Sequence, residues 1–136
     1  MWINLAIWQK VLLWSEEVED TNTKAILKMV YDVIDEKRGE DIVILDVRKF
    51  PILTDYFVIA SVDSKPQIKA VKSAILEELD RLDHKVLYYD RSNELDWTII
   101  DANDIVIHLF KGKARYFYDL EGLWVEAERV KLDEQF

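Results

Sequence analysis

Four aspartates border apolar runs in this chain: Asp46 after Ile42-Val43-Ile44-Leu45, Asp55 before Tyr56-Phe57-Val58-Ile59-Ala60, Asp101 after Trp97-Thr98-Ile99-Ile100, and Asp104 before Ile105. Paired carboxylates in such places could hold Mg²⁺ or act as general acid and base. The plainer reading is that Asp at a strand end closes the ladder and makes a turn. Nothing else in the sequence converges on these four, so the turn reading is preferred. The segment Ser61-Val62-Asp63-Ser64-Lys65-Pro66 lies where a phosphate cradle would be expected, between an apolar run and a helical pattern. It contains no Gly to let backbone approach a phosphate, and Asp63 would repel the anion. Ser64 and Gln67 instead have the spacing of a helix capping box, with Pro66 in the first turn. No P-loop or dinucleotide fingerprint occurs elsewhere.

Cysteine is absent, which excludes a disulfide scaffold and a thiolate metal site. The two histidines supply an imidazole metal site poorly. His108 falls in Ile105-Val106-Ile107-His108-Leu109-Phe110, where alternation places it with Val106 and Phe110 and opposite Ile107 and Leu109. It reads as a core or groove-facing residue. His84, between Asp83 and Lys85, reads as solvent-facing. No Ser–His–Asp or Cys–His arrangement is suggested, so neither catalytic residues nor a metal or cofactor are expected.

A different constellation mixes aromatics with acids. Trp97 follows the polar stretch Asp90–Asp96, and Tyr116-Phe117-Tyr118-Asp119-Leu120-Glu121-Gly122-Leu123-Trp124 follows the last apolar run. Trp and Tyr anchors edged by acids suit a binding patch. Leu120, Leu123 and Trp124 are expected to pack as core, with Tyr118, Asp119 and Glu121 nearer the surface. Acids exceed bases by 27 to 18, a formal charge of −9. Affinity for nucleic acid comes largely from Lys and Arg on phosphates, so this balance favours a basic protein partner.

The elements that must hold these residues form one domain, the ordinary count for 136 residues. Ile26, Leu27, Val30, Val33 and Ile34 keep a helical period from Thr23 to about Lys37, with Gly39 after its end. Ile42–Leu45 and Tyr56–Ala60 read as buried strands. Ile68, Val71, Ile75, Leu79 and Leu82 form one face of a second helix. Val86–Tyr89, Trp97–Ile100 and Ile105–Phe110 read as strands, with Asp101-Ala102-Asn103-Asp104 a tight turn between the last two. Ala114–Leu132 reads as one or two helices interrupted at Gly122. The succession predicts an α/β fold, a mixed sheet of about five strands flanked by helices, in a single domain.

Residues 1–20 differ in kind, beginning MWINLAIWQKVLLW with three Trp and no acid. They lack the basic start and cleavage site of a signal peptide and are too short to cross a bilayer. They read as an apolar extension, either a helix packed on the domain or a partner, a self-association segment, or a stretch without function. The domain proper is expected over 21–132, followed by a short tail, 133–136.

In order and spacing, Asp41-Ile42-Val43-Ile44-Leu45-Asp46-Val47, Thr54-Asp55-Tyr56-Phe57-Val58-Ile59-Ala60-Ser61, Trp97-Thr98-Ile99-Ile100-Asp101, Asp104-Ile105-Val106-Ile107-His108 and Tyr118-Asp119-Leu120-Glu121-Gly122-Leu123-Trp124 resemble the ribosomal silencing factor (Iojap) family. The chain departs from the family at Val62-Asp63-Ser64, where a Gly-Thr-Ser-like turn is usual, and at Gly122, commonly a longer side chain. The resemblance implies a cytoplasmic, non-enzymatic translational repressor that binds the large ribosomal subunit through its basic ribosomal protein fourteen (the universal L-series protein). Its bulk would block joining of the small subunit, lowering translation in stationary phase or when nutrients are scarce, and a role in large-subunit maturation also attaches to the family. Little direct RNA contact and no membrane partner are implied. The expected state is a monomer on the ribosome, with a homodimer open to the free protein. Carried over by position, the contact surface falls on Trp97, Tyr118, Asp119 and Glu121, with Asp101, Asp104 and Val106 from the adjacent strands. Two rival readings are a nucleotidyltransferase-like Mg²⁺ enzyme and a self-associating structural module.

Overall fold

The computed structural model describes residues 22–132. The Trp-rich extension lies outside them. The first helix, α1, is helical over residues 22–36 and buries Ile26, Leu27, Val30 and Ile34. It stops in a way the sequence did not suggest. Arg38, with φ 67°, takes the left-handed position expected for Gly39. Gly39 serves a different need: a Cβ there would come 2.3 Å from Ile34 Cγ2, so its small size permits close packing on the last turn.

Strands β1 (Glu40–Asp46) and β2 (Tyr56–Val62) form an antiparallel pair. Helix α2 (Lys65–Arg81) starts at Ser64, whose Oγ accepts the Gln67 N–H at 3.2 Å. The reciprocal arm of the capping box slips by one residue, because Gln67 Oε1 accepts from the Asp63 N–H at 2.6 Å. Gln67 Nε2 also donates to the Lys37 carbonyl, tying the end of α1 to the start of α2. Ile68, Val71, Ile75 and Leu79 are fully buried on α2. Leu82, expected on the same stripe, is the C-cap and is 43% exposed, since the chain has already left the helix.

Strands β3 (Tyr88–Tyr89), β4 (Trp97–Asp101) and β5 (Ile105–Lys111) follow. The β4–β5 hairpin closes on the predicted turn. Asn103 supplies the left-handed residue with φ 74°, and Asp101 Oδ1 accepts its N–H. β5 then pairs parallel with β2, in register from Tyr56 opposite Ile105 to Val62 opposite Lys111. The C-terminal part corrects the helical expectation for Ala114–Leu132. It forms two short helices, α3 (Ala114–Tyr118) and α4 (Leu120–Leu123), and then strand β6 (Glu128–Arg129). The break falls at Asp119, whose φ of 44° is incompatible with continuing a helix, and not at Gly122.

The sheet has six strands in the order β3-β4-β5-β2-β1-β6. One more strand than predicted arises because β6 is only a two-residue pairing at the edge of β1. Alternation divides the sheet into two faces. Ile44, Val58, Ala60, Ile100, Ile105, Ile107 and Leu109 meet α1 and α2 on the first face. Leu45, Phe57, Ile59 and Phe110 belong to the second face, where Phe50, Leu120, Trp124 and Ala127 pack over them.

A buried lysine organises the approach to β4. Lys72, on α2 and 5% exposed, donates from Nζ to the carbonyls of Asp90 and Arg91 at 2.9 and 3.2 Å, with that of Ser92 at 3.4 Å. Burial lowers its pKa. Asp90 in turn takes the Ile99 N–H on Oδ2 at 2.8 Å and donates its own N–H to the Ile99 carbonyl at 3.0 Å. Thus α2 holds the loop that sets the outer border of β4.

Candidate functional site

Among the described residues Phe50, Leu120, Trp124 and Ala127 pack with Leu45, Phe57, Ile59 and Phe110 on the second face, whose β4–β5 part keeps several partly accessible side chains. Trp97, Ile99 and Asp101 from β4 share that face with Val106, His108 and Phe110 from β5, because Trp97 is paired with Phe110, Ile99 with His108 and Asp101 with Val106. Trp97, Ile99, Asp101 and Val106 are partly accessible, whereas His108 and Phe110 are buried beneath them. Ile99 was not singled out in the sequence, although its alternation with Trp97 places it there.

Trp97 is the centre of an aromatic stack. Its ring lies 5.1 Å from Phe110 with planes 28° apart, and 4.9 Å from Tyr118. Tyr118 is 50% exposed and meets the edge of Phe117, itself 78% exposed, at 5.1 Å. Beneath this layer the Trp97 Nε1–H donates to His108 Nδ1 at 3.1 Å. Phe57 stands perpendicular to the imidazole at 5.0 Å, and Trp124 meets Phe57 at 5.5 Å. Burial pushes the His108 pKa down to about 4, so the ring is neutral near pH 7. Among the described residues its Nε2 is enclosed without a hydrogen-bond partner, a deficit that generally costs about 1–3 kcal/mol.

The predicted acids divide by location and employment. Asp119 caps α4, with Oδ1 accepting the Gly122 N–H at 3.1 Å, and stays exposed beside Tyr118. Glu121 is turned inward: Oε1 accepts Arg115 Nε–H at 2.8 Å, Oε2 accepts Arg129 Nη2–H at 3.3 Å, and its side chain is 24% exposed. Arg115 also donates to Ser61 Oγ, so this pair bolts α3 and α4 to β2. Asp101 closes its hairpin at the border of the open area. Asp104 is elsewhere. It lies six residues along from Phe110, the partner of Trp97, which is roughly 20 Å at strand spacing.

Asp104 belongs to a polar cavity of about 490 Å³ that also includes Thr23, Arg48, Tyr56 and His84. Thr23 Oγ1 donates to its Oδ2 at 2.9 Å. His84 Nε2 lies 2.8 Å from the Ala102 carbonyl and 3.0 Å from Asp104 Oδ1, with a side chain 17% exposed, so the solvent-facing expectation for His84 is corrected. Asp46 is held by the Arg48 guanidinium at 2.8 and 3.0 Å. Asp55 lines the same cavity as Asp104, as does the Arg48 that holds Asp46, whereas Asp101 is occupied in its own hairpin turn. Among the described residues no group of three or more His, Cys, Asp or Glu is placed to hold a metal. Leu123, expected in the core, is 76% exposed because the break at Asp119 rotates it outward, while Leu120 and Trp124 do pack on the second face.

Helices α1 and α2 on one face of a mixed sheet, and the short helices α3 and α4 beside a partly accessible aromatic cluster on the other, make up a single α/β domain. Residues 20–136 match the family described as "Ribosomal silencing factor during starvation". The ribosomal silencing factor of Bacillus subtilis is 35% identical over 112 residues, covering 82% of this chain and 95% of that protein. The chloroplastic Iojap protein of Arabidopsis thaliana is 31% identical over 118 residues, covering 87% of this chain and 49% of that longer protein. A crystal structure of a Chromobacterium violaceum protein superposes with a TM-score of 0.69 at 28% identity, covering 74% of this chain and 84% of that one. The chain belongs to the ribosomal silencing factor family.

Proposed function

We propose that this chain is a translational repressor that binds the large ribosomal subunit through its ribosomal protein fourteen and sterically blocks joining of the small subunit. The observation that carries the reading is the Trp97–Phe110–Tyr118 stack, an aromatic anchor presented at the open part of the sheet and bordered by Asp101 and Asp119. The anchor supplies apolar contact area, and the bordering carboxylates suit Lys and Arg on a basic partner. The net charge of −9 has the same sign preference. Glu121, pinned by two arginines, shapes the surface by holding α3 and α4 in place. Asp104, just before β5, is a candidate contact further from the anchor.

Sedimentation of the purified protein with separated ribosomal subunits tests the proposal. Co-migration with the large subunit and a lower yield of joined ribosomes are expected. Absence from both subunit fractions at moderate salt would sink it.

A further inference from the structure

Among the described residues the buried polar side chains are Thr23, Lys72, Thr98 and His108, and only His108 lies on the Trp97 face. Its two nitrogens have opposite fortunes. Nδ1 is 3.1 Å from Trp97 Nε1, and Nε2 is enclosed with no partner among the described residues. An indole nitrogen can only donate, so Nδ1 must be the bare, accepting nitrogen and Nε2 must carry the proton. A residue needed only for packing would be better apolar here, because an imidazole leaves that Nε2–H unsatisfied. What the imidazole supplies, and no apolar side chain could, is an acceptor for Trp97.

The other contacts of Trp97 cannot do this. Phe110 and Tyr118 lie against its ring and restrain its plane. Stacking is tolerant of which ring edge points inward, whereas an N–H···N bond is directional and selects one. We propose that His108 is a positioning residue, whose Nδ1 fixes the Trp97 indole in the orientation that docks the partner. The inference deepens the binding reading above and rests on it. An anchor already held in one orientation has less freedom to lose on binding, so the affinity gained comes from order present in the free protein. The burial that keeps the imidazole neutral near pH 7 also keeps the acceptor available there.

The test begins on the full chain alone, labelled with ¹⁵N. A through-hydrogen-bond coupling between Trp97 Nε1 and His108 Nδ1 is expected, with the His108 proton on Nε2. Large-subunit binding is then measured for His108→Leu, which removes the acceptor, and His108→Asn, which can return an oxygen near the Nδ1 position. Thermal unfolding of each variant establishes that it is folded at the assay temperature. His108→Leu should bind about tenfold more weakly, and His108→Asn should recover most of that loss. Absence of the coupling, or equal binding by the two variants, overturns the inference. Unchanged binding by Trp97→Ala would overturn the docking reading and the functional half of this one, while the coupling would still decide whether His108 holds the indole.

Discussion

Arg115 Nε–H reaches Glu121 Oε1 at 2.8 Å across the break between α3 and α4, and both side chains are mostly withdrawn from solvent, at 14% and 24% exposure. Trp97 is related to its surroundings in the opposite sense, supported from below and partly open above. Truncating the two should therefore fail in different ways. Trp97→Ala is expected to weaken large-subunit binding by about 2 kcal/mol or more, roughly thirtyfold in Kd, beside the stability lost with its ring contacts and its bond to His108. Glu121→Gln should weaken binding less, while lowering the unfolding free energy by about 1 kcal/mol through the lost charge on Arg115. Affinity and urea denaturation measured on the same two variants check the ranking, and equal losses of affinity would contradict it.

Gly122 and Asp119 are coupled sterically. A Cβ on Gly122 would stand 2.1 Å from Asp119 Oδ2, so a side chain there expels the carboxylate from its capping position. Gly122→Ala alone should cost about 1 kcal/mol, the usual worth of an N-cap. In an Asp119→Gly background the same substitution should become neutral or stabilising, because the clash is gone and Ala favours helix over Gly. A double-mutant cycle by thermal unfolding measures that reversal of sign. Additive effects would show that the two side chains do not interact.

Lys72 should matter beyond its own helix. Lys72→Met keeps the buried stem and removes the ammonium from the Asp90 and Arg91 carbonyls. Stability is expected to fall by about 2 kcal/mol, the scale of hydrogen bonds made by a charged group. Amide exchange should quicken across residues 90–96 and at Ile99, whose N–H is held by Asp90. Unchanged exchange in that loop would mean that Lys72 does not order it.

His108 predicts a pH signature. Its pKa is lowered from 6.5 to about 4 in the folded chain. Between those values the unfolded chain takes up a proton that the folded chain refuses, so stability falls as pH falls through that window. The loss by pH 4 is on the order of 3 kcal/mol, and none of it appears above about pH 7. His108→Asn, which does not titrate there, should show a shallower fall between pH 6.5 and 4 in denaturant titrations. Parallel curves for the two proteins would show that His108 titrates normally.

Much of this architecture was legible in the residues. The buried sides of α1 and α2 follow from the 3.6-residue spacing of Ile26–Ile34 and Ile68–Leu79, and the β4–β5 turn from Asp101 and Asn103. The parallel pairing of β2 with β5 was not, since it joins strands separated by a helix and a hairpin and is chosen by packing. The end of the chain misled because Asp119 enters the left-handed region, which Asp tolerates but does not announce. For the candidate site, Trp97 and Tyr118 stand out in the sequence as aromatic anchors, and alternation places Val106 on the face of His108 and Phe110. The inward turn of Glu121 depends on Arg115 and Arg129, which no local pattern links to it. Lys72 was hidden because a lysine near a helix stripe ordinarily extends to solvent.

The Asp90 carboxylate on the Ile99 N–H bears on how the molecule can associate. An exposed strand border with free N–H and C=O groups invites another chain to add itself as a further strand. Here β4 is covered by β3, flanked by Asp90 at Ile99 and the Leu87 N–H on the Asp101 carbonyl, so the edge at that end is a strand of only two residues. On the opposite margin β6 offers only two residues. Lateral extension of the sheet is thereby discouraged at both ends, even though an aromatic surface lies open. Contacts with another macromolecule are left to side chains on the face, where shape and charge can discriminate, instead of to backbone pairing, which accepts almost any extended chain.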